Sequence, residues 1–134
     1  MVDLLMDVAT NPNSESQEKN LKDWIKEKGL RINVLNDVSI ERDRQEQLKK
    51  DGKFLWTCAD LGMATYADKL AVLSEEVGEV AKEVVDLTIE QLKYDKELLD
   101  YPTHRREHKR DEIRKELIQV AAVCVAWCEA IDKE

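Results

Sequence analysis

The chain has little of what turns, strands, membranes or nucleic acids require. Four glycines and two prolines in 134 residues are too few for a β-sandwich, whose many short strands each need a turn. Aromatic residues make up only 5%, so a core must be mostly aliphatic. The longest apolar run, Val120 to Cys128, falls well short of the roughly twenty residues that cross a bilayer. Cationic surplus is missing too. The formal net charge is −8, whereas binding a phosphate backbone needs the opposite sign. The single basic run, His104 to Arg110, is too short to reverse that balance, so neither nucleic acid nor membrane is expected as a partner. An export signal needs positive charge near the N-terminus, where Asp3 and Asp7 stand instead. Cys58, Cys124 and Cys128 form no framework of paired spacings, which points to reduced thiols and a cytoplasmic protein. Cys124 and Cys128 lie one helical turn apart, a spacing that suits a metal. Without a CxxC or a nearby histidine, packing in the core is the expected role for both.

What remains is a chain that is 43% hydrophobic and 37% charged, the balance of a helical globular protein of one domain. Residues 1–33 read as an N-terminal appendage and 34–134 as a helical domain. In the appendage, Leu4, Leu5 and Val8 suggest a short helix ending before Pro12. Ser14 and Gln17 are spaced as a capping box, and Leu21, Trp24 and Ile25 give a weak stripe that stops at Gly29. Leu30, Ile32 and Val34 alternate, which leaves a short strand open. A first bundle helix is expected over residues 37–50, with the mostly polar pattern Val38, Glu41, Arg42, Gln45, Leu48 and a stop at Gly52. A loop over 53–64 follows, carrying Phe54, Trp56 and Cys58.

The second helix is clearer. Thr65 and Asp68 form a capping pair, and Leu70, Leu73, Val77, Val80, Val84 and Leu87 recur at helical spacing. The third begins between His104 and Asp111, after Pro102, with the stripe Ile113, Leu117, Val120, Cys124, Trp127, Ile131. Two amphipathic helices of this kind demand a partner face, so the fold class is an all-α helix bundle.

Beside the apolar stripe of the second helix runs an acidic line: Glu76, Glu79, Glu83, Asp86, Glu90. The first four stand one position before a core residue, so the first two point obliquely into the bundle. Glu112, Glu116 and Gln119 form the matching line on the third helix. Setting Glu79 opposite Glu116 and Glu76 opposite Gln119 implies one antiparallel register, with the connection centred between residues 97 and 98, where apolar periodicity fades. Carboxylates near a core are costly unless a cation neutralises them, and Mg²⁺ takes hard oxygen ligands while keeping positions open for phosphate. A solvated acidic edge is the alternative. Gly78, within the second helix, marks either a close approach or simple tolerance. Other chemistries lack their residues: there is no GxxxxGK[ST] loop, no Glu-x-x-His pair and no Ser–His–acid set.

The segments LSEEVGEVAKEV (Leu73 to Val84) and RKELIQVAAVCVAWCEAID (Arg114 to Asp132) resemble the MazG-like branch of the all-α nucleoside triphosphate pyrophosphohydrolases, relatives of dimeric dUTPases and phosphoribosyl-ATP pyrophosphohydrolases. The resemblance covers about residues 36–132. It implies an ExxE and an ExxD that hold Mg²⁺ (or Mn²⁺) against a triphosphate. Glu76 and Glu79 match the first pair, Glu116 matches the first acid of the second, and Gln119 stands where the family has Asp. The activity implied is cleavage of an NTP or dNTP to the monophosphate and pyrophosphate, with Glu76, Glu79, Glu116 and Gln119 as metal ligands. Glu75, or Gln119 itself, would position the attacking water. A non-catalytic nucleotide-binding or helical interaction module is the alternative, since Gln119 brings one negative charge fewer. Phe54 and Trp56 are candidates for stacking on a base, or else anchor their loop in the core. Lys82, Arg110 and Lys115 are candidates for phosphate contact, or else solvated charges. The apolar stripes, with Val123, Val125 and Ala126 on the outer face of the third helix, exceed the cover this chain supplies. A homodimer or homotetramer completing a four-helix core is therefore expected, the alternative being that residues 1–33 fold back and cover the exposed face within one chain.

Overall fold

The computed structural model describes residues 15–134 and consists there of three helices with no strand: α1 (Glu15–Lys50), α2 (Tyr66–Lys96) and α3 (Thr103–Lys133). The expected helix around Leu4, Leu5 and Val8, and the cap residue Ser14, lie outside the described residues. The chain divides into two compact units, Met1–Asn36 and Asp37–Glu134, slightly later than the boundary expected at 33/34. In the first unit the helix runs through Gly29 and through the alternating Leu30, Ile32 and Val34. A lone glycine costs a helix only about 1 kcal/mol, too little to end it, and alternation over so few residues does not separate strand from helix.

In the second unit, α1 ends where Gly52 adopts a left-handed φ of 77°. The Gly52 N–H donates to the Lys49 carbonyl at 3.0 Å and the Lys53 N–H to Leu48 at 2.9 Å, the pairing that closes a helix through a residue free of Cβ strain. α2 opens on a reciprocal capping box. The Thr65 N–H donates to Asp68 Oδ2 at 2.8 Å and the Asp68 N–H to Thr65 Oγ1 at 3.2 Å, as the pair of residues implied. Its other end repeats the closure of α1. The Leu98 N–H donates to Asp95 and the Leu99 N–H to Tyr94, but the left-handed position, φ 57°, is filled by Leu98. Pro102 then precedes the first turn of α3.

The loop between α1 and α2 enters the core. Cys58 and Ala59 cluster with Val123 and Ala126 of α3, and Trp56, Val72, Leu73 and Trp127 pack around them. Polar ties hold the loop there. Thr57 Oγ1 donates to Glu46 at 2.8 Å, Lys49 Nζ to Asp60 at 2.5 Å, and Lys133 Nζ to the Ala59 carbonyl at 3.3 Å. The α1 segment over 37–50 packs through Val38 and Arg42, both buried. The Arg42 guanidinium donates to Gln45, to Glu46 and, by two bonds of 3.2 and 3.0 Å, to Glu129 on α3.

Burial departs from the expected stripes. On α3 the buried residues are Ala122, Val123, Ala126 and Ala130, so Val123 and Ala126 face inward, not outward. Leu117, Ile131, Cys124 and Cys128 are exposed, which corrects the core role expected of the two cysteines. On α2, Lys69 is buried while Leu70, Val77, Val84 and Val85 are exposed. The cause is a shortage of layers. The α2–α3 pair offers apolar residues on both sides, and the rest of the unit covers only one of them.

Candidate active site

The α2–α3 register is pinned by side chains across the pair. Arg105 Nε lies 2.9 Å from Glu90 and Lys109 Nζ 3.5 Å from Glu83, and the Tyr66 and Trp127 rings meet edge-on at 5.7 Å. These contacts set Glu76 opposite Gln119, as the spacing implied. The Gln119 amide nitrogen is assigned to the side that faces carboxylates, because the reverse orientation would set its oxygen against acceptors. So oriented, it donates to Glu116 Oε2 at 3.0 Å and to Glu76 Oε2 at 3.2 Å. One neutral amide thus bridges two half-buried acids on facing helices.

The acidic line is not uniform. Glu83 and Glu90, its lower members, are neutralised by Lys109 and Arg105, and Glu90 also accepts from the Tyr101 hydroxyl at 2.8 Å. The basic run of α3 thus serves this chain's own acids. At the upper end, Glu75, Glu76, Glu79 and Glu116 take part in no ion pair among the described residues. The consequence appears at Glu76. Burial raises its pKa, and the charges of Glu116, Glu75, Glu41 and Glu79 raise it further. Glu41, on α1, belongs to this cluster although sequence reasoning did not single it out. Its signal was the polar character of the spacing Val38, Glu41, Arg42, Gln45, since polar residues on an inward face need a reason to be there. Arg44 holds Glu41 with a fork: Nη2 to Oε1 at 2.6 Å and Nε to Oε2 at 2.8 Å.

Two clefts flank this cluster. The first, of about 480 Å³, is walled by Phe54, Leu55 and Trp56 and floored by Val72, Glu75, Glu76, Gln119 and Val123, with Arg44 and Lys53 at its rim. Trp56 also packs against the core, so it anchors the loop and faces the cleft, whereas Phe54 is exposed. The second, of about 630 Å³, lies between Asp37, Ile40, Glu41 and Arg44 of α1 and Asp111, Arg114, Lys115, Ile118 and Gln119 of α3. Lys115 therefore lines a cleft beside the cluster. Lys82 and Arg110 are exposed and line neither cleft. A Cβ built on Gly78 would meet nothing within 4 Å, so no close approach within this chain explains that glycine.

The oxygen donors brought together are those a hard divalent cation prefers. As they lie, no three acidic, imidazole or thiol side chains among the described residues enclose a cation position. The position between Glu76 and Glu116 is taken by the Gln119 amide nitrogen, within hydrogen-bond distance of both. No known protein family, curated protein or solved structure matches this chain.

Proposed function

We propose that this protein is a magnesium-dependent nucleoside triphosphate pyrophosphohydrolase of the cytoplasm, cleaving an NTP or dNTP to the monophosphate and pyrophosphate. The observation that carries the reading is the upper acidic cluster. Four carboxylates repel Glu76, no cation among the described residues forms an ion pair with it, and an aromatic-walled cleft opens beside it. Such a cluster favours whatever brings positive charge, and a nucleotide bound with its cation brings charge, phosphate and a base together. Glu76, Glu79 and Glu116 would hold the cation, and turning the Gln119 amide about its last bond would offer its carbonyl oxygen as a fourth, uncharged donor. Mg²⁺, or Mn²⁺ in its place, supplies shielding of the phosphate oxygens when bound. Glu75, an exposed residue lining the first cleft, would accept the proton of the attacking water. Trp56 and Phe54 provide faces for the base. The apolar residues left open on α2 and α3 fit assembly into a homodimer or homotetramer.

The bridge made by Gln119 favours a second reading. An amide that satisfies the acids by hydrogen bonding lessens their need for a cation, as suits a module that binds nucleotides without turnover. Pyrophosphate release from a panel of ribo- and deoxyribonucleoside triphosphates with Mg²⁺ separates the two. Release from at least one of them supports the enzyme. Binding without release supports the module, and neither binding nor release removes both.

A further inference from the structure

The two clefts meet on a ridge made of Glu41, Arg44 and Gln119. Aromatic side chains line only the first cleft, and Arg114 and Lys115 only the second. Arg44 is the cation common to both. Its side chain is 52% exposed while that of Glu41 is 13% exposed, so the carboxylate is the sheltered partner and the guanidinium the open one. Both hydrogen bonds of the fork stay within one helix, between residues three apart. Ion pairs of this kind are weak. A guanidinium matches phosphate oxygens as well as carboxylate ones, so a ligand carrying several negative charges competes effectively for it.

We infer that Arg44 is a phosphate-binding residue, held at the ridge by Glu41 until a polyphosphate takes it over, and that the terminal phosphates run into the second cleft toward Arg114 and Lys115. The direction follows from charge and surface. The first cleft sets Glu41, Glu75 and Glu76 against Arg44 and Lys53, and it alone has the faces for a base. The second balances Arg44, Arg114 and Lys115 against Asp37, Glu41 and Asp111, so a polyphosphate meets less repulsion there. Among the described residues Arg114 is engaged only with Asp37, at 2.6 Å on an exposed surface, and is open to the same exchange. The inference rests on the nucleotide reading above and adds residues to it.

Calorimetric titration of the full-length protein with inorganic tripolyphosphate in Mg²⁺ tests it without requiring turnover. Arg44→Gln should weaken binding roughly tenfold or more, as for a lost hydrogen bond to a charged group. Arg44→Lys, which keeps the charge but not the fork, should recover part of the loss. Glu41→Gln releases the guanidinium and should tighten binding. Lys115→Gln, at an exposed position, gives a further arm and should weaken tripolyphosphate more than orthophosphate. Wild-type affinity in Arg44→Gln overturns the inference, as does a wild-type protein that takes up no tripolyphosphate, and wild-type affinity in Lys115→Gln overturns the direction assigned to the phosphates. Hydrolysis separates the two levels. If the wild type cleaves triphosphates and Arg44→Gln keeps its KM, the inference fails and the enzyme stands. If tripolyphosphate binds through Arg44 and no nucleotide is turned over, the inference stands and catalysis does not.

Discussion

Replacing Gln119 with aspartate should lower stability in the absence of a divalent cation and enlarge the gain that the cation brings. In the wild-type chain the amide donates to Glu116 at 3.0 Å and to Glu76 at 3.2 Å. Aspartate cannot donate once ionised, so both bonds are lost; a hydrogen bond to a charged group is worth about 1.5–3 kcal/mol, and solvent screening at these half-buried acids holds the two to about 3 kcal/mol together. It also adds a carboxylate beside two others, where like charges about 4 Å apart repel by at most about 4 kcal/mol at an effective dielectric constant near 20. Uptake of a proton by Glu76, whose pKa burial and the neighbouring carboxylates already raise, limits that second cost, leaving a net loss of about 2–4 kcal/mol. For a domain of this size the loss lowers Tm by roughly 10 °C. Mg²⁺ at a hundred times its Kd would return about 2.7 kcal/mol, and the added charge favours that binding. Scanning calorimetry in EDTA and then in rising MgCl₂ reads both effects, with Gln119→Leu as the control that loses the donors without gaining charge. A Gln119→Asp protein melting within about 2 °C of wild type in EDTA would show that Gln119 does not bridge the acids. A Mg²⁺-induced rise no larger than that of wild type would show that no cation uses this position.

Further outcomes follow from other features. Glu79→Gln should abolish the Mg²⁺-induced rise in Tm while leaving the helical circular dichroism unchanged, and a variant that still responds fully to metal excludes Glu79 as a ligand. Leu98 is almost fully exposed yet holds a left-handed φ of 57°, so Leu98→Gly should stabilise by about 0.5–1 kcal/mol. A lowered urea midpoint would refute that. Burial acts to raise the pKa of Asp60, but hydrogen bonds from Lys49 and the Thr57 N–H hold it below the usual aspartate range. The stability it contributes is therefore present above its unfolded-state value, near pH 3.9, and is lost as pH falls through the lower folded value. Asp60→Asn should be less stable than wild type at neutral pH, with the difference shrinking below about pH 4; a gap that persists in acid would mean Asp60 acts otherwise. Light scattering should give a dimer or tetramer, and Val85→Glu, on the exposed apolar flank of α2, should lower the mass. A monomeric full-length wild type would mean that no second copy covers that flank.

Much of this was legible in the sequence. Periodicity implied α2 and α3, the Thr65–Asp68 pair supplied one cap, Gly52 marked the end of α1, and matching acids on two helices implied the register that sets Glu76 against Gln119. These features depend on neighbours along the chain or on a single pairing of two helices. Tertiary structure decided the rest. Both flanks of α2 and α3 carry side chains able to face inward, and the choice between them depended on where α1 and the 51–65 loop packed. That packing buried Ala122, Val123, Ala126 and Ala130 and left Cys124, Cys128 and Leu117 outside. It also brought Glu41 of α1 within reach of Glu76, and it gave Glu83 and Glu90 cations from α3 while leaving Glu76 and Glu116 with only an amide between them. A carboxylate's character depends on the charges within a few ångströms of it, and helices distant in the sequence supply most of those.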